Sequence, residues 1–501
     1  MLSSTAWAQP EEEEDPSEDS TEEPAPEAEA ESEAETAAVV PEEPVAADEE
    51  MEQRIREAEV RLDEVETASL LQRITWSGDY RTVLASYQFS GPGPDGLQVD
   101  TANEEQWLHR LRVDARAQPL ENLRFTGRLV MFKRYGTNLA TVFPQDSAES
   151  RIPRDNALRL ERAWLDWFIT PRLALSVGRI SYSNGPPAQL KENLTSSDAT
   201  WGLQMVDGEF ETVDLTFQVN PNFLIRSFYA SWAFPRGDDL FSEALFLNEG
   251  IDNLRIIGGN IDIRLPSLGN YFVQLGAYAV PQFRPFTLPI PNPNAMVQPG
   301  SPPPPFNGGF LFPSAKPNSL GSYANISALA LLQDIGESGF DIFGAVSLGF
   351  LAPNGQGIAY PLGPAGEDVP VLGLASASPG EETSNTNMFL YAGFRYKLPL
   401  EAARYPRIGF EYNYGSQFWI SFASPTTDLT NKLANRGNAF EGYWIQPVND
   451  YLFARFDILH IDSSHSGGFF GPMAPGTEGA STAPEVDKTL TVYSVLLEAK
   501  F

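Results

Sequence analysis

From residue 74 to the end, the chain alternates apolar and polar residues with period two. The run VDLTFQV sets Val213, Leu215, Phe217 and Val219 on one side and Asp214, Thr216 and Gln218 on the other. In NIDIRL, Ile261, Ile263 and Leu265 oppose Asn260, Asp262 and Arg264. In RIGFEYNYG, Ile408, Phe410, Tyr412 and Tyr414 oppose Glu411 and Asn413; in YLFARFDILHID, Leu452, Ala454, Phe456 and Ile458 oppose Arg455 and Asp457. Period two means strands with two unlike faces. A charged face repeated this often cannot be the core of a soluble sandwich, where unpaired charge is too costly to bury. It suits a barrel with hydrocarbon outside and water inside.

The pattern predicts about sixteen strands, at residues 74–89, 103–118, 122–135, 157–169, 172–181, 210–220, 223–234, 254–265, 270–281, 322–335, 339–351, 386–398, 407–419, 439–448, 451–462 and 489–501. The connections alternate in length. QPLEN, TPR, NPN, PSLGN, GESG and QPVND are short, PLEAARYP is somewhat longer, and the intervening loops are long and rich in Gly, Pro, Ser and Asn. Short turns on one side and long loops on the other are the habit of membrane barrels. With an even strand number both ends fall on the short-turn side, which in this plan is the periplasm. Trp164, Trp167, Tyr229, Trp232, Phe418, Trp419, Tyr443 and Trp444 lie near strand ends, as aromatic girdles do.

Before residue 74 the period changes. Met51, Ile55, Ala58, Leu62 and Val65 recur at heptad spacing, predicting an amphipathic or coiled-coil helix over 51–73. Little more than two heptads will not associate alone, so the helix is either part of a stalk on an oligomer or a single helix at the periplasmic mouth. Residues 9–50 hold nineteen Asp and Glu and no Lys or Arg, with abundant Pro and Ala. Such a segment cannot bury enough apolar surface to order itself. Within 1–8, Ala6-Trp7-Ala8 reads as the cleavage end of a signal peptide.

Composition narrows the function classes. The net charge of -33 argues against nucleic-acid binding, and the absence of Cys excludes thiolate metal sites and Cys nucleophiles. No phosphate loop, dinucleotide fingerprint or zinc spacing occurs, so no cofactor is expected. The His residues are His109, His460 and His465. The run Asp462 to His465 is a weak catalytic or metal signal, and a surface loop is the ordinary reading.

A barrel of sixteen strands leaves a channel, so its chemistry is the charge that lines it. Arg110, Arg112 and Arg116 share one face of the second strand; Arg124 and Arg128 follow on the third and Arg162 on the fourth. Two readings stand: a basic ladder that favours anions, or local pairing with Asp114, Glu161 and Asp166. The loop at about 182–209 offers Lys191, Glu192, Asp198, Asp207 and Glu209 as constriction residues opposite that ladder, after the stiff entry Gly185-Pro186-Pro187. The Pro-rich loop at 281–321 has polyproline character and is a partner site, a lid or surface cover.

These features resemble known proteins. In strand count, loop position and opposed charge the chain resembles the 16-stranded general porins, which implies a passive diffusion channel for small hydrophilic solutes and a homotrimer. The final strand, with Tyr493, Val495, Leu497 and terminal Phe501 on one face, resembles the signal read by the outer-membrane barrel assembly machinery. LQRITWSGDYR, RAWLDWF with GRISYSNGPP, and that last strand resemble a family of uncharacterised bacterial envelope proteins. The expected function is therefore an outer-membrane pore facing lipid and lipopolysaccharide. The alternatives are an envelope tether that uses the acidic extension, and an outer-membrane hydrolase.

Overall fold

The computed structural model describes residues 74–92, 98–135, 159–234, 252–265, 270–283, 290–291, 310–311, 319–361, 367–374, 380, 382–423, 432–465 and 485–501. The expected signal remnant (1–8), acidic segment (9–50) and helix (51–73) lie outside them. So do most of the Pro-rich loop and Trp232's side chain.

Among the described residues sixteen antiparallel strands close into a barrel. They are β1 (Ile74–Pro92), β2 (Gln98–Leu120), β3 (Leu123–Tyr135), β4 (Arg159–Thr170), β5 (Leu173–Ser181), β6 (Glu209–Asn220), β7 (Phe223–Phe234) and β8 (Asp252–Leu265). The second half comprises β9 (Asn270–Val280), β10 (Gly321–Gln333), β11 (Phe340–Pro353), β12 (Asn385–Lys397), β13 (Arg407–Gly415), β14 (Gly437–Pro447), β15 (Leu452–His465) and β16 (Glu485–Lys500). Each strand pairs with its neighbour in sequence, and β1 closes on β16 from Asp79↔Lys500 to Ser90↔Thr489. Closure removes the sheet edges, as hydrocarbon requires of a spanning sheet.

The two faces follow the sequence pattern. On β6, Val213, Leu215, Phe217 and Val219 are exposed, while Thr212, Asp214, Thr216 and Gln218 are buried on the inner face. On β16, Tyr493, Val495 and Leu497 point outward and Leu490, Val492, Leu496 and Glu498 inward, and Phe501 just past the strand is exposed. The exposed Leu, Ile, Val and Phe form the membrane belt of a transmembrane barrel.

Three of the expected girdle aromatics face inward. Trp164 shares the parity of Arg162 and Asp166, is buried, and donates Nε1–H to Asp166 Oδ1 at 3.2 Å. Tyr443 is buried on the lumen side of β14, two residues from the inward Glu441. Trp419 lies beyond the end of β13, because the strand stops at Gly415 rather than 419. A Cβ on Gly415 would meet Asn435 O at 2.1 Å, so glycine lets a second chain segment come against it. Trp167 and Tyr229 do point outward.

A charge placed on the outer face must be desolvated in hydrocarbon. Leu215→Arg should therefore cost about 2–4 kcal/mol of folding free energy in bilayers, whereas Thr216→Arg on the inner face should cost less. Reversible denaturant titration in lipid vesicles measures the difference, and equal costs would contradict the assigned faces.

Candidate functional site: an inward loop latched to the barrel wall

The chain between β5 and β6 turns into the barrel. Tyr182–Glu192 and Trp201–Gly208 are buried, and the first stretch includes a short helix, α1 (Ala188–Lys191). The entry to the loop is tied closely. Tyr182 N donates to Gly208 O at 2.8 Å, Asn184 N to Asp207 Oδ1 at 3.1 Å, and Leu203 N to Pro186 O at 2.9 Å. A Cβ on Gly185 would lie 1.6 Å from Trp201 O, so only glycine allows the two limbs to approach. Trp201 packs edge-on against Phe228, with ring centroids 4.6 Å apart, and Tyr182 packs beside both.

One side of the loop is an apolar wedge. Ala188, Leu190 and Leu203 join Leu329 and Leu331 of β10, Phe343 and Ala345 of β11, and Phe389 and Tyr391 of β12 in one buried cluster. Polar contacts fix the wedge in place: Gln204 Nε2–H donates to Ser327 Oγ at 2.8 Å, and Gly202 N–H to Gln274 Oε1 at 2.6 Å. Arg395 of β12 donates to Leu190 O at 3.0 Å.

The other side is held by charge. Glu192 is buried between Arg81 of β1 and Arg455 of β15, the latter 2.9 Å away. Lys191 pairs with Glu441 of β14. Asp198 Oδ2 lies 2.7 Å from Arg128 of β3, 2.7 Å from Arg162 of β4 and 3.7 Å from Arg112 of β2. The loop therefore reaches from β9–β12 across to β1–β4 and β14–β15. Burial would raise the Glu192 carboxyl, but Arg81 and Arg455 outweigh it and hold it well below the usual carboxylate range. Burial and the guanidiniums of Arg128 and Arg162 act on Asp198 in the same way, and its carboxyl is likewise held low.

A second segment folds in beside the first. After β13 the chain brings Trp419 flat against Phe389, with centroids 4.7 Å apart, and Phe422–Ala423 pairs in parallel with Val206–Asp207 of the inward loop. Trp419 Nε1–H donates to Leu433 O at 2.8 Å. Lys432, just before β14, sits between Glu411 and Glu441.

The six arginines do not form a wall of bare cations. Arg110 and Arg112 both bind Asp79, at 2.8 and 2.6 Å. Arg128 binds Asp114 at 2.6 Å and lies 3.5 Å from Glu161, and Arg124 binds Asp166 at 3.1 Å. Arg116 is exposed towards the foot of β2. Of the loop candidates, Asp198 faces Arg112, Arg128 and Arg162. Glu192 and Lys191 reach other strands, while Asp207 and Glu209 tie the loop's base, Glu209 accepting from Ser183 Oγ at 2.9 Å. The sequence reading missed Asp79, Arg81, Glu441 and Glu498, and gave Arg455 an inner-face position but no loop contact. Alternation with the outward Tyr80, Phe440 and Leu497 was the available signal for the four. Ser463 turns to Asn435 Oδ1 rather than to His465, and His460 bonds Thr491 Oγ1 through Nδ1.

Residues 100–478 match the model of a family described as "Protein of unknown function (DUF3373)". The chain belongs to this family. Comparison with curated proteins gives no match. Among solved structures, the anion-selective porin from Comamonas acidovorans is similar at 9 % identity, with 85 % of this chain and 99 % of that chain covered and a TM-score of 0.44. OmpT in its trimer form, an outer membrane protein of Vibrio cholerae, aligns at 9 % identity with the same coverage and a TM-score of 0.41.

Within this DUF3373 chain, Gly185→Ala should force the loop limbs apart, and a protease should then cut within 182–208 of the folded barrel; a loop as resistant as the native one would contradict the close approach. Glu192→Gln should destabilise the closed loop by about 1–3 kcal/mol, since Arg81 keeps Glu498 and Arg455 keeps Asp457. The acid dependence follows from the lowered carboxyl. Its stabilisation is complete above the ordinary value of 4.5 and is lost as pH falls through the depressed one. Hydrogen exchange at loop amides should therefore stay slow down to pH 4.5 and quicken in stronger acid; quickening already at pH 6 would remove Glu192 as the latch.

Proposed function

We propose that this protein is an outer-membrane diffusion channel for small hydrophilic solutes, with its bore set by the loop at 182–208. The observation that carries this reading is a loop crossing the interior of a closed barrel, clamped by ion pairs on one side and an apolar wedge on the other. A purely structural anchor has no need to tie Glu192, Lys191 and Asp198 to one arc of the wall and wedge Leu190 and Leu203 against another. The alternating connections support placing both chain ends in the periplasm, and terminal Phe501 on the lipid face supports assembly by the outer-membrane machinery.

Each element of the proposed bore has a physical part. The strands provide a rigid wall, because hydrogen bonds along every edge leave no strand free to move alone. The paired wall charges present a nearly balanced polar lining, so a hydrated ion or sugar meets hydrogen-bonding partners without falling into a deep charge well. The loop sets how large a solute can pass.

Planar-bilayer recording tests this. Replacing residues 188–204 with a short Gly-Ser linker should raise single-channel conductance at least twofold over the native protein. Identical conductance, or no conductance in either protein, would reject the loop as the element that sets the bore.

A further inference from the structure

We propose that Arg112, Arg128 and Arg162 form an anion-binding site which Asp198 occupies in the resting protein, and which a small oxyanion solute enters by displacing that carboxylate. The inference rests on the channel reading only for the route by which the solute arrives.

The cations belong to the barrel wall, whereas their counter-ion belongs to the loop. Arg112, Arg128 and Arg162 stand on adjacent strands, with Arg112 opposite Val130 and Arg128 opposite Arg162, where the β3–β4 register shifts just past Arg128. Their side chains are almost completely buried, whereas Asp198 is 18 % exposed. Asp198 lies in an irregular stretch where Thr195 and Ser196 are exposed. Arg128 and Arg112 retain wall acids when Asp198 leaves, and Asp198 is the acid that neutralises Arg162. Arg162 also carries a buried Nε–H with no hydrogen-bond partner. Departure of the carboxylate therefore exposes an under-compensated guanidinium cluster with a spare donor.

The chemistry of the ligand follows. Two guanidinium forks already converge on the two oxygens of one carboxylate: Arg128 reaches Oδ2 at 2.7 Å and Oδ1 at 3.4 Å, and Arg162 reaches Oδ2 at 2.7 Å. A phosphate or a solute carboxylate presents the same oxygen pair, and a phosphate adds charge. A tethered carboxylate competes at an effective concentration on the order of millimolar. The native protein should thus bind free oxyanions weakly, and removing the competitor should unmask the site.

Inorganic phosphate is the probe, titrated into the full-length protein in detergent by calorimetry at fixed ionic strength, with bilayer current recorded in parallel. Asp198→Asn should bind phosphate at least tenfold more tightly than the native chain, and adding Arg162→Gln should abolish the gain. Unchanged affinity in Asp198→Asn would overturn the proposal, as would tight binding that survives loss of Arg162. If Arg162→Gln fails to assemble, the comparison of Asp198→Asn with the native chain decides alone. Tight phosphate binding without conductance would reject the channel reading and leave the site; conductance with no gain in binding would reject the site and leave the channel.

Discussion

A charge turned into a closed barrel must find its counter-charge inside that barrel. Outside lies hydrocarbon, where it cannot go, and within the wall it is cut off from most bulk water. The interior is consequently knitted strand to strand. Asp79 serves Arg110 and Arg112, Asp262 serves Arg226, Asp341 serves Arg395, and Glu411 and Glu441 serve Lys432. Most of these pairs join neighbouring strands or strands one apart, so they fix register as well as charge.

The inward loop obeys the same rule over a longer span. Lys191, Glu192 and Asp198 take partners on different strands of one arc of the wall, and the loop's apolar residues pack on β10–β12 against the inward Leu329, Leu331, Phe343, Ala345 and Phe389. Neither set of contacts would place the loop alone. Ion pairs without the wedge would leave alternative pairings among many arginines, and the wedge without ion pairs would leave the tip undirected. The close limbs at Gly185 and Trp201 then fix where the loop begins and ends.

Most of the barrel could be read from the chain, because a period of two is a local property. VDLTFQV needs no distant partner to declare its faces, and every expected strand is present within a few residues. The failures are nonlocal. The expected strand over 407–419 gave no hint that Gly415 would end β13, since that depends on Asn435 arriving from twenty residues away. Trp164 and Tyr443 were misplaced by attending to their position along the strand rather than their parity, although Arg162 and Glu441 two residues away carried the answer. At the site, the arginines of β2–β4 and their partners Asp114, Glu161, Asp166 and Asp198 were visible, but Asp79 and Glu498 were not. Asp79 and Glu498 come from strands at opposite ends of the sequence, and only closure of β1 on β16 makes them neighbours.

The parallel pairing of Val206–Asp207 with Phe422–Ala423 joins two loops more than two hundred residues apart into one internal body. Neither can lengthen, shorten or shift by a residue without the other following, because Trp419 and Leu433 share a packing surface with Leu190 and Leu203. Evolution acting on the barrel interior must therefore work on the two loops together. A graft of one of them into another scaffold would carry only half of the device.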